Sequence, residues 1–394
     1  MSTLLVWVTM LIGFLIVYHH IGYPLILKKL SIRYPSGGIK LKSRKFEKCE
    51  DDSILPSIHL IMPALNEEAT IAEKINNIAA IDYPEDKLAV SIICDGCNDN
   101  TAKVARETIK KFICRHLRVE VIEHRKNRGK VSIINEAVGR SSSQIIALSD
   151  VSALISIDAL LIAAEHFKSD NIGVVSGSYA FLNSESTGEE TYWHYQTAIK
   201  KRESNLGSTL GVHGAFYLFR RHLFSPLEED TINDDFVLPM KIVENGYRAI
   251  YEPDINAVEL EQVSVESDFD RRRRIAAGNV QQFVRLWRLI HPKYGGIAFN
   301  FISGKGLRIL MPFCLLFFFI SSLYLAMKFW LFVPLLLSQV IVYGIALYRH
   351  ITMKPETNKY AQTIYYIVSG YVASFIGIIR FCSGKEKGRW KRIS

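Results

Sequence analysis

Four long apolar stretches decide most of what this chain can fold into. Leu4 to Leu27 holds no charged side chain and is long enough to cross a hydrocarbon core of roughly 30 Å. Leu307 to Met327, Leu331 to Tyr348 and Ile364 to Phe381 follow toward the other end. Hydrocarbon offers no partner for backbone N–H and C=O groups, so each run is expected as a helix that satisfies its own. A cleaved leader fits the first run poorly, because no basic region precedes it and no small-residue cleavage site follows. The residues between the first and second spans must then fold outside the bilayer.

The net charge of +9 sits mainly on two flanks: Lys28, Lys29, Arg33, Lys40, Lys42, Arg44, Lys45 and Lys48, and the stretch Arg380 to Arg392. Basic residues just past an apolar span mark the cytoplasmic side and attract anionic lipid. That accounts for the charge without a nucleic-acid partner. It also predicts a multi-pass protein of the cell membrane whose extramembrane domain is cytoplasmic. Three further crossings would carry the basic tail outside, against the same rule. Either the last apolar stretch lies in the interface or the tail is an exception. Of the six cysteines, Cys94 and Cys97 form a CxxC, but no second pair completes a zinc ribbon. Free cytosolic thiols are expected.

The segment 28–55 is basic and polar and reads as a linker, and residues 56–262 form the expected domain. Here strands alternate with helices: strands at Ser57–Met62, Leu88–Cys94, Val119–Ile122 and Gln144–Leu148, helices at Glu68–Ala79, Thr101–Ile113 and Val131–Val138. Such alternation predicts a parallel sheet covered on both faces, with ligands bound beyond the carboxyl ends of the strands. Glu67, Asp95 and Asp150 fall at those ends. The second half is less regular, with strands at Ile172–Phe181, Gly211–Phe219 and Arg248–Tyr251 and helices at Glu189–Ser204 and Phe236–Glu244. Residues 263–300 contain a basic amphipathic helix expected on the membrane surface, 301–382 the remaining spans, and 383–394 a basic tail.

Five motifs occur in order: Pro63-Ala64-Leu65-Asn66-Glu67-Glu68, Cys94-Asp95-Gly96-Cys97-Asn98-Asp99, Asn127-Arg128-Gly129-Lys130 with Asn135, Ser149-Asp150-Val151-Ser152, and Asn233-Asp234-Asp235-Phe236. Together they resemble family 2 glycosyltransferases, in the membrane-bound branch that includes cellulose synthase-like and hyaluronan synthase-like proteins. The likeness covers roughly Ser57 to Gln282. It implies an α/β GT-A (Rossmann-like) mixed-sheet domain beside the transmembrane helices, and an inverting transfer.

Residue by residue, the resemblance implies that Glu67 and Asp95 hold the nucleoside, with Asp95 facing the base, and that Lys130 lies near the nucleotide. An aspartate accepting from an imide N–H suits uracil, hence a UDP-sugar donor. The competing reading makes Asp95 and Asp99 a turn residue and a helix cap, and Lys130 a surface lysine. Asp150 and Ser152 match a D-x-D motif that holds Mg²⁺ or Mn²⁺ against a diphosphate, hard oxygen ligands suiting a hard cation. Ser152 departs from the motif, and a hydroxyl is the weaker ligand.

Asp235 matches the catalytic base, with Asp234 beside it. Like-charge repulsion within the pair would favour a proton acceptor near neutral pH. The bland alternative is an acidic first helical turn. Arg271 to Arg274 stand where a Q-x-x-R-W motif is expected. Arg274 matches its arginine, which suits a departing diphosphate, Arg271 replaces the glutamine and Ile275 the tryptophan. Lipid headgroups are the other reading of this run. Gly211, His213 and Gly214 resemble the strand beside the acceptor, with His213 a polar lining residue rather than a metal ligand. Tyr192, Trp193 and Tyr195 read as helix packing more than as a sugar platform.

These residues point to a membrane-embedded transferase moving sugar from a UDP-sugar to a saccharide or lipid-linked acceptor, in cell-surface polysaccharide synthesis. Partner proteins for export or polymerisation are compatible with that role. Two alternatives stay open: single-sugar transfer to a membrane lipid such as polyprenyl phosphate or ceramide, and a degenerate scaffold that binds nucleotide or polysaccharide.

Overall fold

The continuous apolar runs of the first half become central strands buried on both faces, as parallel strands under helices must be. In the computed structural model, residues 2–33, 44–182, 187–260, 265–352 and 358–386 are described. Lys40, Lys42, the side chains of Tyr192 and Trp193, and the tail from 387 through Arg392 lie outside the described residues. The chain divides into two units, one holding 34–183 and 200–262, the other 1–33, 184–199 and 263–387.

In the first unit the strands are β1 (Ile58–Ala64), β2 (Leu88–Asp95), β3 (Arg118–His124), β4 (Ile145–Ser149), β5 (Ala153–Ile155), β6 (Ile172–Phe181), β7 (Phe216–Arg220) and β8 (Arg248–Glu259). They form one sheet in the order β3-β2-β1-β4-β7-β6-β8-β5. The first four are parallel, joined by the helices Ile71–Ala79, Thr101–Thr108 and Lys130–Arg140. Leu60, Ile61 and Met62 of β1 and Ile146 and Ala147 of β4 are fully buried.

Beyond β4 the sheet is mixed. β7 runs antiparallel to β4 and β6, and β8 pairs parallel with β6 and antiparallel with β5. The parallel sheet expected from strand–helix alternation thus spans residues 58–149, and the later strands complete the mixed sheet expected of a GT-A domain. The strand expected at 211–219 starts at Phe216, because Gly211 takes φ +67° and the chain loops until Ala215. Since Phe216 pairs with Ser149, that loop is delivered to the carboxyl end of β4. β5 went unanticipated; a run of three apolar residues is too short to carry a periodicity.

In the other unit, Thr3–Ser31, Gly296–Ala326, Trp330–Thr352 and Lys359–Cys382 are four helices long and apolar enough to cross a membrane. They make this a membrane protein. The second begins at Gly296 rather than Leu307, through a π-helical turn at Phe301–Gly306.

The helix Val265–Arg285, expected on the lipid surface, packs against Lys359–Cys382. Gly377 permits the approach: a Cβ there would fall 2.2 Å from the Arg273 carbonyl oxygen, and small residues let helix backbones meet. Arg272 places its guanidinium 3.5 Å from the Tyr366 ring centroid and donates to the Tyr366 carbonyl at 2.8 Å. Asp268 pairs with Arg271 and Arg272, and Asp270 with Arg273. Arg271, Arg272 and Arg273 thus have acidic partners within their own helix.

Candidate active site

Two loops clasp at the ends of β1 and β2. Asn66 adopts φ +57°, a left-handed conformation that asparagine tolerates. Its Oδ1 accepts from Asn98 N at 2.8 Å, and the Glu68 carboxylate accepts from both Asn100 nitrogens at 3.0 Å. Glu67 donates its N–H to Thr101 Oγ1 at 2.8 Å, and its carboxylate accepts from Thr70 Oγ1. Asp99 accepts from Thr101 N at the start of the helix Thr101–Thr108, in line with the helix-cap role given as its alternative. Cys97 Sγ accepts from Asn66 N at 3.4 Å, and all six cysteines are free thiols.

Asp95 has a structural role in this fold. It is fully buried, and its carboxylate accepts from the backbone N–H groups of Arg128 (2.9 and 3.0 Å) and Gly129 (2.8 Å). The carboxylate thereby holds the 126–129 turn onto the end of β2, the turn role that was its alternative reading. The turn is tight enough to require Gly96, where φ is +68° and a Cβ would lie 2.3 Å from Asn127 N.

That turn starts the helix bearing Lys130, whose Nζ reaches Asp150 Oδ1 at 2.8 Å and stands 4.0 Å from Asp234 Oδ2. Burial alone would lower the Lys130 ammonium, but Asp150, then Asp234 and Asp235, outweigh it and hold it above its ordinary value. Lys130 is therefore a charged member of the cluster and not a solvated surface lysine.

Asp234 and Asp235 open the helix Asp234–Glu244 after Asn233, in extended conformation. Acidic groups are favoured there by the helix dipole, and here Asp234 also stands near Lys130 while Asp235 borders Gly214. Gly214 is the gauge of that convergence. A Cβ built on it would lie 3.5 Å from Asp235 Oδ2 and 3.7 Å from Asp150 Oδ2. Both carboxylates thus border one glycine, although they stand 85 positions apart in the chain. Beneath them the Tyr217 hydroxyl is buried without a hydrogen-bond partner among the described residues. Burial, then Asp234, Asp235 and Asp150, push it well above its ordinary value, so it stays protonated.

The remaining expected residues divide. Ser152 is tied through its carbonyl to Leu260 N at 2.9 Å. His213 stacks on Tyr179, centroids 3.6 Å apart, and its Nδ1 accepts from Ala215 N. Gly211, expected beside the acceptor, serves packing: a Cβ at φ +67° would fall 2.3 Å from Phe236 Cδ2. Gly211→Ala is therefore expected to destabilise the domain by about 2–4 kcal/mol. An unchanged melting temperature in the purified variant would contradict this. Arg271 and Arg274 belong to the unit of membrane helices.

Sequence reasoning missed Tyr217, hidden in an apolar strand, and Lys74. The latter did leave a signal, a lysine inside the stripe Ile71, Ile75, Ile78. Its fully buried Nζ donates to Ser149 Oγ at 2.7 Å and to the Ala153 carbonyl.

A parallel sheet extended by antiparallel strands, with acids gathered at the carboxyl end of β4, defines the class of GT-A glycosyltransferases. The chain matches the model of Glycosyl transferase family 2 over residues 59–227 and that of Glycosyl transferase family group 2 over 145–348. It belongs to this family and is a glycosyltransferase. It is 26% identical over 245 residues to the poly-beta-1,6-N-acetyl-D-glucosamine synthase of Staphylococcus epidermidis, covering 60% of this chain and 58% of that one. The synthase of the same name from Staphylococcus aureus (strain COL) is 27% identical over 209 residues, 50% of this chain and 48% of that one. The chain thus spans about half the length of the curated relatives it matches. A mannosyltransferase from Pyrobaculum calidifontis, solved with GDP-Man and Mn²⁺, superposes with TM-score 0.73 at 23% identity over 96% of this chain and 99% of that one. At that identity the likeness speaks for the fold.

Proposed function

We propose that this glycosyltransferase moves a sugar from a nucleotide-sugar, with UDP-sugars the first class to test, onto a saccharide or lipid-linked acceptor at the cytoplasmic face of the cell membrane. Building a surface polysaccharide is the role that the curated relatives favour. The observation that carries the reading is the meeting of Asp150 and Asp235 on Gly214. Two carboxylates bordering one glycine can serve one reaction centre, with the donor diphosphate at Asp150 and the acceptor hydroxyl at Asp235.

Asp235 Oδ2 then takes the acceptor hydroxyl proton as that oxygen bonds to the anomeric carbon from the face opposite the diphosphate. The bond from that carbon to the diphosphate oxygen breaks, its electron pair leaves with the nucleotide, and the anomeric centre inverts. Lys130 supplies fixed positive charge beside Asp150, where charge develops on the leaving group. The Asp95 carboxylate keeps the turn before Lys130 in place. Asp95 thus acts on the nucleotide site through the backbone, and Glu67 borders the clasped loops.

No described cluster of three or more His, Cys, Asp or Glu residues could hold a metal by itself. A single accessible carboxylate still fits Mg²⁺ or Mn²⁺, because such ions take one or two protein carboxylates and complete their shell with water and substrate phosphate. Asp150 would hold the ion, with Ser152 through its hydroxyl. When bound, it would neutralise the diphosphate.

The test is nucleotide release by the full chain in nanodiscs, against UDP- and GDP-sugars with an acceptor panel. One donor is expected to turn over, and EDTA to lower the rate by about 100-fold or more, with Mn²⁺ or Mg²⁺ restoring it. Silence across the whole panel would end the reading; turnover indifferent to EDTA would end its metal part.

Ile275, 41% exposed, stands where processive relatives present an aromatic ring. It favours a second reading, transfer of one sugar to a lipid. A product ladder excludes that reading, and a single adduct supports it. A degenerate scaffold is disfavoured by the assembled Lys130, Asp150, Asp234 and Asp235.

A further inference from the structure

We propose that Lys74 is a positioning residue, whose amine holds the Asp150-Val151-Ser152 turn and, through Ser149, the Gly214-Ala215 segment at a working distance. The inference rests on reading Asp150 as the donor-side carboxylate.

Lys74 occupies the apolar stripe of the helix Ile71–Ala79 and has no solvent access. An amine is an expensive occupant of such a position, and an unbranched apolar side chain would fill it at lower cost. What the amine adds is donors. Both of its bonds end on the β4–β5 connection: Ser149 Oγ at 2.7 Å just before Asp150, and the Ala153 carbonyl just after Ser152. The turn carrying the donor-side acid is thus held at each end from beneath.

The restraint continues outward. Ser149 has a single hydroxyl proton, so accepting from Lys74 leaves it free to donate to the Ala215 carbonyl at 2.9 Å. The same carbonyl accepts from Asp150 N at 3.1 Å, and Val212 N donates to the Asp235 carbonyl at 3.0 Å. A run of hydrogen bonds therefore joins the 71–79 helix to the Asp150 turn and to the loop against which Asp235 rests. Burial lowers the Lys74 ammonium to about 7 despite Asp150 and Glu259. A neutral amine still has two protons to donate, so both bonds persist in either state.

The test compares Lys74→Met, Ser149→Ala and Asp150→Asn in the full chain in nanodiscs, by hydrogen exchange and by the Mn²⁺ dependence of transfer. Lys74→Met is expected to raise exchange about tenfold in 149–156 and 212–217, with β2 and β3 unchanged. Ser149→Ala should reproduce the effect in 212–217. In Lys74→Met, half-maximal activation should need about 10- to 100-fold more Mn²⁺, with the acceptor KM unmoved. Asp150→Asn should lower transfer without raising exchange.

If Asp150→Asn transfers normally, the donor-side reading fails. If that variant is impaired while Lys74→Met keeps the parent's exchange and Mn²⁺ requirement, Lys74 has no positioning role. A uniform rise over the whole sheet would show general packing and overturn the proposal equally. Should Lys74→Met not fold, unaltered exchange at 212–217 in Ser149→Ala overturns it.

Discussion

Asp235→Asn is expected to lower sugar transfer by about 10²- to 10⁴-fold, the usual contribution of a positioned general base. An asparagine keeps the size of the side chain and suits the first turn of the 234–244 helix, so the fold should survive. What it loses is an oxygen that can take a proton. Because the hydroxyl is deprotonated only as the new bond forms, kcat and kcat/KM should fall together. Nucleotide affinity should stay within about a factor of three, since Asp235 lies on the far side of the sugar from the diphosphate in this reading. Single-turnover kinetics and calorimetry with UDP and Mn²⁺ measure the two quantities. Turnover within a few-fold of the parent would remove Asp235 from the base position and leave Asp234 as the next candidate.

Asp95→Ala tests a different kind of dependence. The carboxylate is buried and accepts N–H groups from Arg128 and Gly129, and its removal strands both in a site without water access. Stranded buried donors cost about 1–3 kcal/mol each, so a total loss of about 2–6 kcal/mol is expected. Thermal unfolding of the nanodisc-embedded protein should fall by several degrees. Because the turn runs directly into Lys130, nucleotide affinity should fall as well. Asp95→Asn, which keeps one acceptor oxygen, should lie between parent and alanine variant. If the alanine variant melted with the parent but lost uracil preference, Asp95 would be a base reader after all.

The two variants separate the roles that the sequence motifs leave merged. Asp95 and Asp235 both sit in short acidic motifs at element ends. One is closed off by backbone amides, and the other borders Gly214 beside Asp150. Loss of stability should follow the first, and loss of chemistry without loss of stability the second.

The order of motifs, the apolar spans and the parallel half of the sheet were legible from the chain alone. Each depends on local pattern: continuous apolar strands, period-3.6 stripes, glycine and asparagine at turns. The acids at strand ends followed from the same pattern. What sequence could not decide was which of them would meet. Asp150 approaches Asp235 because β7 runs antiparallel beside β4 and returns the 211–215 loop to the end of β4. Strand order is set by long-range pairing, which leaves no mark on local periodicity. The buried state of Asp95, the packing role of Gly211 and the reach of Lys74 under the Asp150 turn have the same origin. Solvent access and hydrogen-bond partners belong to the assembled sheet, where residues far apart in the chain compete for the same few oxygens and amides.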